Sequence, residues 1–438
     1  MLRACSLSLA LFALAACPPQ HAGYCSEPLT SADAGSGLTY HRDVKPIIER
    51  RCGRCHQPGG IAPFSLLGFG QAVGMRGPLA AAVTSRRMPP WPPARCCTEY
   101  QHDKSLSDAE RATLLSWVDQ GAVEGSATTD DGGVSQPTAL SRVDETLSMA
   151  KGYLPAPAGG KTDETRCFLL DWPQTATRYV TGLDVRPGVP SMVHHALVLL
   201  ASKEDVAALE KLDAADPGEG WSCPGSIVRF SGYLGGWTPG FDAQEFPPGL
   251  GYEVQPGQKV ILSVHYSLHE AAPLKPDLTQ VQVKFQAEPT RPMKAIAVYD
   301  LRWPFGGMRI PAGSSDTRYH YSFDPTDYYS GGKPMLLHGV TLHMHSHGTK
   351  GTVAILRKDG TTECLLQVDA YDDKWQGDYT FLEPKRLAPG DHLFIECQWD
   401  NTQARQPLVN GVVQAPKDLN WAEDSEMCLS FVTASVAP

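Results

Sequence analysis

At 438 residues the chain is long enough for about two to four domains with real cores. Its 38 Lys and Arg against 48 Asp and Glu give a net charge of -10 without any basic cluster, which argues against a nucleic-acid partner. Gly (41) and Pro (36) are frequent, as expected of many turns between short strands.

At the N-terminus, Arg3 precedes an apolar run from Leu7 to Ala16 that is too short to span a bilayer and reads as an export signal over residues 1–16. It ends in Leu14-Ala15-Ala16-Cys17, which resembles the lipobox of bacterial lipoproteins. Cleavage before Cys17 and acylation of that residue would leave several acyl chains as a stable membrane anchor. The alternative is a plain secretory signal with an incidental cysteine. The expectation is an exported lipoprotein of the bacterial cell envelope, periplasmic or outer-membrane associated, with residues 17–38 as a polar tether. Cysteine use agrees with an oxidising compartment. Setting aside Cys5, Cys17 and the pair Cys52 and Cys55, an even number of the 12 cysteines remains, which suggests disulfides without fixing their pairing.

A compact helical segment is expected next, over residues 39–126. Val44, Ile47 and Ile48 have helical spacing. Ser107-Asp108-Ala109-Glu110 reads as a capping box that opens a helix through Leu114, Leu115 and Val118 and stops at Gly121. Between them stands Cys52-Gly53-Arg54-Cys55-His56. In an exported chain two thiols at this spacing can add to the vinyl groups of a haem, with His56 as an axial iron ligand. A structural disulfide beside a surface histidine is the bland alternative. For the sixth ligand a thioether suits an electron carrier. Met88, in the Pro-rich loop Arg87 to Pro93, is the first candidate and Met75 the other. The segment resembles class I cytochromes c.

Residues 127–144 read as a linker. Beyond it come short alternating runs such as Lys259 to His265, Val281 to Phe285 and His392 to Cys397, broken by Gly, Pro and Asp. They predict two antiparallel all-β sandwiches, residues 145–288 and 289–438. The whole is a multidomain chain: a small all-α unit followed by two β domains.

Histidines mark both halves. On a strand, His343 and His345 would point to one face and chelate one ion, with His347 a rival or supporting group and His338 structural. His194 and His195 are neighbours, so their joint use requires a bulge or a strand end; Pro187 and Pro190 upstream suit the latter.

Across residues 145–436 the chain resembles the copper type II, ascorbate-dependent monooxygenases, the family of dopamine β-hydroxylase and peptidylglycine α-hydroxylating monooxygenase. The resemblance rests on Met192-Val-His-His-Ala-Leu-Val198, Phe246 to Tyr252, Val264-His-Tyr266, Leu342-His-Met-His-Ser-His-Gly348, Cys397-Gln-Trp-Asp-Asn401 and Glu426-Met-Cys-Leu-Ser430. It implies jelly-roll-like sandwiches and two copper ions: an electron-transfer copper on His194, His195 and His265, and a catalytic, O2-binding copper on His343, His345 and Met427. It also implies the disulfides Cys397–Cys428 and Cys167–Cys223. A thioether beside two imidazoles favours Cu(I). Where the peptide-amidating enzyme anchors a substrate carboxylate through Arg, Asn and Tyr, this chain has Thr341, Leu429 and Phe431, so the substrate is expected to be small and uncharged. The expected activity is hydroxylation of a C–H bond with O2. Electrons would come from ascorbate or a redox protein and in part from the chain's own haem c. A non-catalytic haem and copper electron carrier or copper-binding surface lipoprotein is the rival.

Overall fold

The structure, a computed structural model, describes residues 35–438 apart from 59, 61, 128–132, 135–137, 159–161, 224–230, 269–273, 289–290, 410–411 and 423–424. The export signal, Cys17 and Cys25 lie outside the described residues. Among those described, no helix is long and apolar enough to cross a membrane.

Residues 40–119 carry helices Lys45–Arg51, Phe69–Gly74, Arg76–Thr84 and Asp108–Asp119. The last begins at the expected capping box: Ser107 Oγ accepts from Glu110 N and Glu110 Oε2 accepts from Ser107 N. Gly121, at φ +93°, follows its end, a backbone conformation that glycine adopts without strain. The apolar faces meet in a small core containing Tyr40, Val44, Ile48, Leu106, Leu114 and Trp117. Each buried aliphatic side chain of this kind contributes about 1.5–3 kcal/mol.

The β region is built on one sheet of nine strands backing two smaller sheets. Its first half, Glu145–Ser148, Gln280–Gln286, Arg178–Arg186 and Leu250–Val254, packs on a five-stranded sheet whose middle strands are Asp163–Asp171, Lys259–Ser267 and Val193–Ala201. Its second half, Arg291–Val298, Ser430–Val436, Met335–Val340 and Tyr379–Leu387, packs on the sheet Thr317–Phe323, His392–Trp399, Gly348–Leu356 and Thr362–Val368. The halves join where Leu250 and Gly251 pair in parallel with Arg291 and Pro292. Val193–Ala201 and Lys259–Ser267 are apolar beyond simple alternation because their outer face is covered as well. The helix Lys203–Ala215 places Leu209 in a cluster with Leu199, Ala201 and Ile261.

The Pro-rich loop has a second role that local patterning does not reveal. Trp91 and Tyr100 belong to the core of the second sandwich. Pro93 bridges Val368 and Tyr100 bridges Phe381. Cys97 is disulfide-bonded to Cys364. The helical unit is therefore fastened to the C-terminal half, some 267 residues away in sequence.

Candidate functional site

His194, His195 and His265 come together at one end of the five-stranded sheet. Cross-strand pairing sets His195 opposite His265, and the register shifts between Val193 and His195. That bulge at His194 removes the alternation that would send neighbouring side chains to opposite faces. The His194 Nδ1 atom lies 3.3 Å from His265 Nδ1 and 3.3 Å from His195 Nδ1. Ligand atoms of all three fall within 4.8 Å of one another. Asp163 stands 3.3 Å from His265 Nε2; accepting that proton leaves the Nδ1 lone pair bare and aimed at the cluster.

His343 and His345 follow the strand Met335–Val340 and are not part of it. The expected strand ends at Val340, and only His343 retains a bridge, to Leu429. The rings converge nonetheless, with Nε2 atoms 3.2 Å apart. His343 Nδ1–H donates to Gln376 Oε1 at 2.5 Å, and His345 Nδ1–H donates to Ser425 O at 3.1 Å. The Gln376 amide is oriented by its own Nε2, which donates to Asp373 O. Both protons are thus held on Nδ1, and two Nε2 lone pairs face each other. Met427 is buried on the chain opposite. It stands two residues before Leu429, the bridge partner of His343.

What replaces the strand is a buried carboxylate. Glu426 is fully buried. Its Oε2 accepts from His345 N at 2.9 Å and Trp399 Nε1 at 2.8 Å, while Oε1 accepts from His347 N at 2.8 Å. Burial pushes its carboxyl up, but His347, His345 and the backbone donors outweigh that and hold it below the usual range. His347 Nδ1 lies 3.3 Å from Glu426 Oε1. The Tyr371 hydroxyl donates to Met344 O and accepts from Met344 N, clamping the residue between the two histidines. The disulfide Cys397–Cys428 fixes the residue after Met427, and Cys167–Cys223 lies in the first sandwich. His338 sits in the strand with Nε2 2.8 Å from Ser435 Oγ, a structural position.

Two nitrogens each about 2.0 Å from one tetrahedral ion stand about 3.3 Å apart, so both histidine sets have the spacing of ligands around a shared cation. Protonation would spoil either set, and burial opposes it. His194 is pushed down to about 4 by burial and by His265; His343 is pushed down to about 4 by burial and by His345. His195 is driven well below its usual value by burial and then by the other histidines, including His343 and His345. The two sets therefore lie within electrostatic reach of each other. His194 Nε2 is buried without a hydrogen-bond partner. Three imidazoles suit copper among other ions, and two imidazoles with a thioether suit Cu(I).

In the helical unit, Cys52 caps the helix Lys45–Arg51 and His56 N donates to Cys52 O. Cys52 and Cys55 are unpaired thiols. Burial pushes Cys52 up to about 12 and raises Cys55 as well. His56 Nδ1–H donates to Phe64 O at 3.2 Å, which leaves Nε2 as the free ligand atom. Met75 packs against the helical core together with Cys52. Met88 lies beyond the helix Arg76–Thr84 and its N–H donates to Ala82 O.

Residues 308–434 match the family model described as copper type II ascorbate-dependent monooxygenase, C-terminal domain. That stretch contains His343, His345 and Met427; the three-histidine set and the helical unit lie outside it. The matched family is one of copper-dependent oxidoreductases that use ascorbate. No curated protein sequence matches this chain. Solved structures that align include the major capsid protein P2 of bacteriophage PM2, at 12% identity over 67% of this chain and 97% of that one, TM-score 0.24. The VP2 subviral particle of infectious bursal disease virus aligns at 13% identity over 69% and 74%, TM-score 0.19. Likenesses this loose have no bearing on the fold.

Asp163, Gln376 and Tyr371 were not legible as site residues. Asp163 and Gln376 reach a histidine, and Tyr371 reaches Met344, across a sheet or from a distant loop, with no local spacing to announce them. Glu426 had one signal, its place directly before Met427 and Cys428.

Proposed function

We propose that the chain is a copper-dependent monooxygenase that hydroxylates a C–H bond of a small, uncharged substrate with O2. His343, His345 and Met427 hold the copper that works with O2, and His194, His195 and His265 hold a second copper that stores an electron. The observation that carries this reading is the tautomer control. Gln376 and Ser425 on one side, and Asp163 on the other, keep imidazole protons away from lone pairs that meet at the spacing of a shared ion. Copper bound there supplies one-electron chemistry toward O2; the surrounding residues orient the ligands and keep them neutral.

The substrate side supports an uncharged molecule. Thr341 Oγ1 accepts from Phe431 N at 2.8 Å, so the hydroxyl is tied to the neighbouring strand. Phe431 stacks on Tyr233 at 4.9 Å with an 8° interplanar angle. Leu429 pairs with His343. An apolar wall of this kind offers no charge-assisted partner to a carboxylate.

Electrons come from ascorbate or a redox protein and, in part, from a haem c attached at Cys52 and Cys55. His56 serves as one axial ligand and Met88 as the other, with Met75 the alternative. Cys17 carries the lipid that tethers the protein to the cell envelope. The unpaired, half-buried thiols and the His56 tautomer support the haem.

The test is metal analysis followed by O2 uptake with ascorbate and a panel of small neutral substrates. Copper-loaded protein should couple O2 uptake to product, and Met427→Ala should abolish both while the three-histidine copper remains. Product formation by Met427→Ala at the unaltered rate would remove the catalytic assignment. Copper and haem without any product would favour the electron-carrier rival.

A further inference from the structure

The segment that carries Cys52, Cys55 and His56 is docked on one particular loop of the β region, residues 238–242. Arg54 Nη1 is 2.8 Å from Asp242 Oδ1 and donates to Gly240 O at 3.2 Å. Lys104 Nζ also donates to Gly240 O, and it stands 4.3 Å from the centroid of the Phe241 ring. Gly240 approaches so closely that a Cβ there would lie 3.5 Å from Cys55 Sγ. Asp242 is held low against the effect of burial by Arg54 and by the Thr138 N–H, so the pairing is between charged groups.

From this contact Phe241 reaches inward. It packs against the core of the second sandwich and stacks on Trp91 at 6.5 Å. Trp91 in turn meets Tyr379 edge-on at 5.3 Å. The tip of the Phe241 ring rests on Gly377, where a Cβ would stand 2.3 Å from Phe241 Cζ; a residue with a side chain would push the ring away. Gly377 is the neighbour of Gln376, whose Oε1 accepts the His343 Nδ1 proton. The loop is held in place on its other side by Asp378, which accepts from the Tyr233 hydroxyl at 2.6 Å and from Gly236 N at 2.7 Å.

We propose that Phe241 is the port through which electrons pass from the haem-attachment segment to the His343/His345 centre, by Gly240, Phe241, Gly377 and Gln376, without passing through the three-histidine set. The proposal rests on the haem and copper reading given above. The path has one through-space step at Cys55 and Gly240, one van der Waals contact at Phe241 and Gly377, and one hydrogen bond at Gln376 and His343. A second way leads from Gly240 to the three-histidine set. It follows the backbone from Gly240 back to Trp237, crosses to its strand partner Ala196 and only then reaches His195. Loss of the Phe241 ring interrupts the first way and leaves the second intact. The step is a single-electron exchange. Ferrous haem iron becomes ferric and cupric copper becomes cuprous; no bond forms or breaks, and an external one-electron donor, ascorbate or a redox protein, restores the ferrous iron.

The experiment is anaerobic stopped-flow on full-length holoprotein with the haem reduced and the copper oxidised, following the haem absorbance as it reoxidises. Phe241→Leu, which keeps an apolar side chain but loses the ring, and Gly377→Ala, which displaces the ring from the other side, should each slow reoxidation by at least an order of magnitude. The copper electron paramagnetic resonance signal of both variants should stay that of the parent, showing folded, loaded sites. His345→Ala should abolish the fast phase. If Phe241→Leu and Gly377→Ala reoxidise at the parent rate, or if His345→Ala keeps the fast phase, the port is elsewhere and this inference falls while the haem and copper reading stands. Purified protein with no covalent haem would remove both.

Discussion

The two histidine sets solve one problem by different means. His194, His195 and His265 sit on adjacent strands, and the sheet does most of the positioning: a bulge turns His194 and cross-strand pairing brings His195 against His265. His343 and His345 lie on chain that has left its strand, and side chains from distant places hold it. Glu426, Trp399 and Tyr371 bind its backbone or one another, and the Cys397–Cys428 disulfide pins the opposite segment. A sheet-borne site tolerates loss of a neighbouring side chain because dozens of backbone hydrogen bonds remain. A site held by a buried polar network does not, since each member depends on the rest. The difference also suits the proposed roles. Ligands that only store an electron profit from rigidity, whereas a centre that receives O2 and substrate needs one side clear of backbone.

The largest expected effect is at the hub of that network. Glu426→Ala leaves the His345 N–H, the His347 N–H and Trp399 Nε1 without their acceptor in a buried place. At about 1–3 kcal/mol for each unsatisfied buried group, the loss should be about 4 kcal/mol, read by chemical denaturation. Metal analysis should find the His343/His345 copper gone and the three-histidine copper kept. Equal loss of both coppers would break the comparison, because it would mean the two sets are one cooperative structure.

Next in size is a side chain that the sheet-borne site does rely on. Asp163 fixes the proton of His265 on Nε2, and Asp163→Asn should weaken copper at the three-histidine set about 10–100-fold, the usual cost of losing such a partner. Competitive titration with a copper chelator would measure it, and melting should barely change because Asp163 is partly exposed. A change confined to affinity here, against a change in both affinity and stability at Glu426, is the sharpest form of the contrast.

The same division explains what could be read from the sequence. The strands Lys259–Ser267, Gln280–Gln286 and His392–Trp399 and the helix Asp108–Asp119 announce themselves by periodicity and capping, which are local. The need for a bulge or a strand end at His194 is also local, a consequence of two adjacent histidines on one strand. Trp91 in the second core, the Cys97–Cys364 bond and the Phe241–Gly377 contact join residues far apart in the chain, and no spacing rule encodes them. His343 and His345 fall in between. Their i, i+2 spacing suggested a strand, yet the convergence comes from Gln376, Ser425 and Glu426 and would not survive on spacing alone.

The smallest effects separate stability from coordination. Ser202 Oγ accepts from Asp205 N at 3.2 Å and caps the helix Lys203–Ala215 that covers the five-stranded sheet. Tyr371 ties both backbone groups of Met344, at 2.7 and 2.8 Å. Ser202→Ala and Tyr371→Phe should each cost about 1 kcal/mol or slightly more, so denaturation should not tell them apart. Copper should. The helix cap stabilises a layer outside the sheet, so the three-histidine set keeps its affinity when the cap is lost. Met344 lies between two ligands, so losing its clamp lets His343 and His345 drift apart and weakens the copper they share. Spectra of the two variants at matched stability decide the point: a parent-like copper signal in Ser202→Ala and a broadened one in Tyr371→Phe are expected. A parent-like signal in both would mean that Glu426 alone suffices to hold the His343/His345 pair.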